Sequence, residues 1–166
     1  AKEDVAEASA QDQPLLSAET VSLDHDLGND RDEIINSLVT LVSPRLSDPS
    51  GVTKAALERE SKHSTGVGHG VAIPHARTSG VNVPTLAFAR LPKGITWADG
   101  EDLTTMVFLI AVPEDAGKQH LKLLSKLARA IMQDDFRARL QSATSKEEAV
   151  DIISTTLDPA SLPASS

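Results

Sequence analysis

The sequence predicts a single α/β domain in which a central β-sheet is flanked by helices on both faces. Three observations carry this. The chain has 166 residues, enough for one core of ordinary size and too few for two. Residues 86–91 and 104–112 are nearly continuous apolar runs bounded by Pro84, Pro92 and Pro113, which suits interior strands covered on both faces rather than half-exposed ones that alternate. Helical patterns lie before and after these runs, so the sheet belongs in the middle of the layers.

Residues 1–14 are charged, Ala-rich and end at Pro14, and they have little means of burying a face; they read as a tail. The first helix is capped by Asn29 or Asp30, has Glu33 near its start, and carries the apolar stripe Ile34, Ile35, Leu38, Leu41 and Val42 until Pro44 stops it. Turn signals at Asp48, Pro49, Ser50 and Gly51 open a second helix over 52–61, which delivers Arg59 and Glu60 at its C-terminal end. Gly66, Gly68 and Gly70 form a glycine loop, followed by a short buried strand, Val71, Ala72 and Ile73, that Pro74 ends. After the two long strands, helices are expected over 118–132, 134–140 and 145–155, the last opened by a capping box of Ser145 and Glu148. Residues 158–166 have the Pro/Ala/Ser composition of a linker. No internal repeat is present.

Composition excludes several functions. The net charge of −8 opposes the cationic surface that a phosphate backbone requires, and aromatics at 2% leave almost nothing to stack on bases, so nucleic acid is not an expected partner. No apolar stretch approaches the roughly 18–20 residues that span a bilayer, and the N-terminus lacks a signal-peptide core; the domain itself is expected to be cytoplasmic. With no Cys, covalent chemistry falls to His, Ser, Thr, Asp or Lys.

The chemistry concentrates between Arg59 and His75. Pro74 fixes its own φ and biases Ile73 toward extended geometry, which puts His75 where a buried strand leaves the sheet. A neutral imidazole there can attack phosphorus. Thr65 and the glycines at 66, 68 and 70 read as a phosphate-binding loop whose backbone N–H groups approach an anion closely, and Arg59 supplies a charge-assisted contact to phosphate oxygens. On residue type alone, an ordinary packed or surface histidine is the better account of His75, and glycine triplets also occur in plain turns. The run does not satisfy G-x-G-x-x-G, since position 71 is Val, and no Walker lysine, H-E-x-x-H or G-x-S-x-G occurs. His63, His69 and His75 are spaced six apart, roughly 20 Å per gap if extended, which is too far for one metal ion unless the segment loops back. His120 lies near the start of its helix in line with Leu124, Leu127 and Ile131, as a packed capping-region residue or as a donor to phosphoryl oxygens. Lys122, Lys126, Arg129 and Arg137 form a solvated basic face that would also steer an acidic partner.

Glu60, six intervening residues, Val67-Gly68, two more residues and then Val71-Ala72-Ile73-Pro74-His75-Ala76 resemble the phosphorylation-site pattern of the fructose/mannitol/nitrogen class of enzyme IIA in the phosphoenolpyruvate-dependent sugar phosphotransferase system. The resemblance extends over residues 15–157. It implies a mixed β-sheet flanked by helices. It also implies that His75 accepts a phosphoryl group from the histidine-containing phosphocarrier protein and passes it to a cysteine on an enzyme IIB domain. Arg59 matches the family's active-site arginine and His120 its second active-site histidine; no metal or organic cofactor is expected. Position 76 is Ala where Gly is often found. Position 69 is His where a small polar residue is frequent, and this adds a titratable group near the site.

The stretches VFLIAVPEDAGKQHLKLLSKLAR and LAFARLPKGI are most similar to fructose-specific members. The linker-like C-terminus fits permeases in which IIA, IIB and a membrane IIC segment share one chain. The alternatives are a regulatory nitrogen-type IIA and a non-catalytic module that keeps the fold and binds partners.

Overall fold

The computed structural model describes residues 15–98, 100, 102–116 and 119–157, the last stretch without the side chains of 119–121. Among the described residues six strands, β1 (Val21–Leu23), β2 (Gly66–Gly68), β3 (Val71–Ala72), β4 (His75–Arg77), β5 (Thr85–Ile95) and β6 (Thr104–Val112), form one sheet in the order β1-β5-β6-β3-β2, with β4 also on β6. Among the described residues five α-helices flank it: α1 (Arg31–Leu41), α2 (Pro49–Lys62), α3 (Gln119–Ile131), α4 (Asp134–Ser142) and α5 (Lys146–Leu157). The sheet is mixed, as expected. β5 and β6 are antiparallel, β1 runs parallel to β5, and β3 and β4 run parallel to β6.

Alternation along the two long strands separates the core into two halves. On one face Leu86, Phe88, Met106, Phe108, Ile110 and Val112 pack against α3, α4 and α5. Phe108 is central there, 4.9 Å from the Phe88 ring and 6.4 Å from that of Phe136, centroid to centroid. The other face presents Ala72, Ala76, Ala87, Ala89 and Ala111 beside Val107 and Leu109. Small side chains on that face leave room for the stripes of α1 and α2, Ile34, Ile35, Leu38, Val52 and Ala56, to close on the sheet. Helices thus cover both faces.

Several boundaries differ from expectation for identifiable reasons. Asp30 is the cap of α1, its carboxylate accepting the Glu33 N–H. The turn signals ahead of α2 are its cap and first turn: Asp48 accepts from the Gly51 N–H, and Pro49 at the first helical position gives up an N–H that has no partner in any helix. Pro92 does not end its strand. Past Arg90 the neighbour β1 has ended, so a proline on that open edge breaks no ladder bond. Strands β1, β2 and β4, each three residues long, were not anticipated. At α5, Ser145 Oγ accepts the Glu148 N–H as expected, but the Glu148 carboxylate reaches Thr144, one residue before the capping position. The basic residues near α3 are not all solvated: Lys126 donates to the Leu157 carbonyl, and Arg137 to the Ile131 carbonyl and Asp134, whereas Lys122 and Arg129 are exposed. Residues 1–14, Lys118 and 158–166 lie outside the described residues.

One side chain ties the sheet edge to the α4–α5 corner. Arg90 Nη1 donates to the carbonyls of Leu140 and Gln141 at the end of α4 and of Ala143 just past it, and its Nε and Nη2 meet the Asp24 carboxylate at 3.0 and 2.7 Å. The hydrogen bond from Arg90 holds the Asp24 carboxyl below the usual carboxylate range.

Phe108→Ala removes the ring that joins two others in the core and lowers unfolding free energy by about 3–5 kcal/mol in urea titrations. Asp24 has its pKa depressed in the folded state, so its contribution is present above a pH of about 4 and is lost as pH falls through the lower folded value. Asp24→Asn therefore flattens part of the acid-side decline in melting temperature; an unchanged slope would remove the ion pair from that role.

Candidate functional site

β3 and β4 follow one another along β6 without loss of register, Val71 and Ala72 beside Met106 and Val107, then His75 beside Ile110. Pro74 divides them because it has no N–H to give β6, although its carbonyl still accepts the Ile110 N–H at 3.0 Å. The groups of Ile73 consequently face away from β6. Its N–H donates to the Thr65 carbonyl at 3.0 Å, and its carbonyl lies 3.0 Å from Nδ1 of the half-buried His75. A carbonyl only accepts, so Nδ1 carries the proton in this bond, and in the neutral ring the lone pair is then on Nε2.

The run expected to be a glycine loop is a tight hairpin. β2 pairs antiparallel with β3, and His69 and Gly70, at φ 59° and 77°, make the two-residue turn between Gly68 and Val71. Gly68, at φ 86°, also requires the freedom of glycine. A Cβ on Gly70 would come within 3.3 Å of the Leu103 carbonyl, so the turn sits directly on the start of β6. Gly66 N–H is given to Ser64 Oγ. Thr65 is buried, and both of its donors go to Glu60: the N–H to Oε2 and the hydroxyl to Oε1, each at 2.6 Å. It therefore holds the hairpin stem instead of offering donors to a phosphate.

Glu60 itself is 2% exposed, and its Oε2 also accepts the indole N–H of the buried Trp97 at 3.1 Å. A carboxylate so deeply placed needs such donors. Its role was not read from the sequence, though a signal existed: Val52, Ala56 and Glu60 are four residues apart, which sets a charged residue on the buried stripe of α2. Arg59 stands beside it, half-buried, with Nη1 on the His63 carbonyl at 3.0 Å. Helix α2 packs against β4, which carries His75 at its first position. At the far end of β4, Arg77 donates to the carbonyls of Glu114 and Ala116 at 2.9 and 2.8 Å, and so holds the segment that leads toward α3; nothing in the sequence pattern pointed to it.

His120 lies in the first turn of α3, but its side chain is outside the described residues. His63 ends α2, and His69 is exposed at the hairpin tip. Among the described residues no three His or carboxylate side chains cluster closely enough to hold a metal ion.

A histidine with one nitrogen tied down thus lies on the strand against which α2 packs, beside a hairpin stem fixed by the buried glutamate of that helix, and known proteins are similar to the chain in both sequence and fold. The family model for the phosphoenolpyruvate-dependent sugar phosphotransferase system, EIIA 2, matches residues 14–156. A fructose-specific EIIA component of Haloferax volcanii is 42% identical over 110 residues, covering 66% of this chain and 71% of that one. A fructose-specific EIIABC component of Bacillus subtilis is 36% identical over 143 residues, covering 84% of this chain but only 22% of that longer one. The crystal structure of the nitrogen regulatory protein IIA-Ntr from Neisseria meningitidis superposes with a TM-score of 0.77 at 32% identity, covering 84% and 96% of the two chains. With nearly the whole described chain inside the matched span, this protein belongs to the EIIA type 2 family of the sugar phosphotransferase system.

Proposed function

We propose that the chain is a cytoplasmic phosphoryl carrier of the sugar phosphotransferase system and that His75 bears the phosphoryl group. The observation that carries this reading is the bond between His75 Nδ1 and the Ile73 carbonyl, because it leaves Nε2 as the nitrogen with a free lone pair. In the first transfer Nε2 attacks the phosphorus carried by the histidine-containing phosphocarrier protein. The new N–P bond forms as the donor's N–P bond breaks, and that electron pair returns to the donor imidazole. In the second transfer a cysteine sulfur of an enzyme IIB domain attacks the same phosphorus, and the pair of the Nε2–P bond returns to His75. This chain has no Cys, so the second acceptor lies elsewhere.

Charge on the transferring group is spread over its oxygens, and catalysis is chiefly positioning and electrostatic stabilisation. Arg59, braced by the His63 carbonyl through Nη1, keeps further guanidinium N–H groups for those oxygens. His120 is assigned to the same oxygens on the family pattern, with the N-terminal end of α3 favouring the anion. Among the described residues no helix is long and apolar enough to cross a membrane. The Bacillus relative's name joins A, B and C components in one chain, which supports an enzyme IIB partner carried with a membrane IIC segment. The names of both fructose-specific relatives support fructose as the transported sugar.

A second reading has one observation behind it: the likeness to the Neisseria nitrogen regulatory protein favours a regulatory IIA that is phosphorylated without feeding sugar uptake. Incubation with phosphoenolpyruvate, enzyme I and the phosphocarrier protein tests the shared step. Wild type takes an acid-labile phosphate and His75→Ala takes none; an unlabelled wild type contradicts the carrier role. Arg59→Ala slows labelling about 100-fold with the fold intact, and an unchanged rate removes Arg59 from the site. Adding a fructose enzyme IIB separates the two readings, since label moves to its cysteine only if the chain serves sugar uptake.

A further inference from the structure

We infer that Glu60 is a positioning residue for His75, acting through Thr65 and Ile73 to keep the ring in its Nδ1–H tautomer. The inference rests on His75 being the phosphoryl acceptor for its functional meaning, but its structural content is separate. Three links connect the two side chains: Glu60 to Thr65, Thr65 to Ile73, and Ile73 to His75. Trp97 and Thr65 donate to the Glu60 carboxylate, Thr65 through both N–H and hydroxyl. The Thr65 carbonyl accepts the Ile73 N–H, and the Ile73 carbonyl accepts the His75 Nδ1–H. Each link fixes the next backbone group rather than merely touching it.

The arrangement is costly unless it does something. A carboxylate 2% exposed is held by three neutral donors, where an apolar residue in line with Val52 and Ala56 would continue the stripe of α2. What the carboxylate adds is a grip on both donors of a single residue, and that residue is the one that pairs with Ile73. Without it the hairpin stem is free to shift, the Ile73 carbonyl loses its fixed direction, and the imidazole is free to carry its proton on Nε2, where no lone pair remains for phosphorus.

The test uses the isolated chain with Thr65→Val and Thr65→Ser, and with Glu60→Gln as a second probe of the carboxylate. Thr65→Val removes only the hydroxyl donor, whereas Thr65→Ser restores it. Ring nitrogen shifts of His75 from long-range proton–nitrogen NMR report the tautomer without any transfer reaction. Wild type and Thr65→Ser should show the Nδ1–H form, and Thr65→Val and Glu60→Gln a raised share of the Nε2–H form. The initial labelling rate should fall about tenfold in Thr65→Val and recover in Thr65→Ser. A lower melting temperature in Thr65→Val with an unchanged tautomer and an unchanged labelling rate would overturn the inference and leave Glu60 a purely structural residue. If wild type takes no label while Thr65→Val still shifts the tautomer, the carrier reading fails and the positioning role stands.

Discussion

The imidazole of His75 is held by a carbonyl that the sheet itself leaves over. Along a strand, successive backbone groups point to opposite sides, and on the path from β3 to β4 the groups of Ala72 and Pro74 face β6 while those of Ile73 face away. Proline at 74 removes one ladder bond without disturbing register. Ile73 is thereby set at the end of the short hairpin, its N–H taken by Thr65 and its carbonyl open to the ring two residues on. The tautomer of His75 is thus a property of the backbone path.

The surroundings make that path rigid. One half of the core, built on Phe88, Phe108 and three helices, fixes β5 and β6. The other half, lined with alanine, lets α2 lie close to β3 and β4 and brings its C-terminal end, with Arg59 and Glu60, to the hairpin stem. Both ends of β4 are also tethered, by His75 on the Ile73 carbonyl and by Arg77 on the segment before α3. Rigid placement suits a group-transfer site, where a misplacement of about 1 Å costs orders of magnitude in rate.

Much of this was legible in the sequence, and what was not has physical causes. The long apolar runs at 86–91 and 104–112 and the stripes of the helices follow from burial alone, and the sheet with helices on both faces follows from them. Three-residue strands such as β1 and β4 carry too little periodicity to be seen; their pairing is decided by neighbours far along the chain. Pro92 and Pro49 looked like boundaries because a proline's meaning depends on whether its missing N–H had a partner, which is a tertiary fact. His75 was one histidine of five until the spacing from Glu60 through Ala76 singled it out. Thr65 and the glycines looked like an anion loop because donors in a glycine-rich run resemble one; the buried Glu60, visible in hindsight in the stripe of Val52 and Ala56, claims the threonine donors first.

The most direct measurement of the central claim is the position of the phosphoryl group on the ring. Phosphorylated protein labelled with nitrogen-15 at histidine should show phosphorus–nitrogen coupling at Nε2 of His75, with Nδ1 still protonated and bonded to the Ile73 carbonyl. Coupling at Nδ1, or at another histidine, would contradict the account.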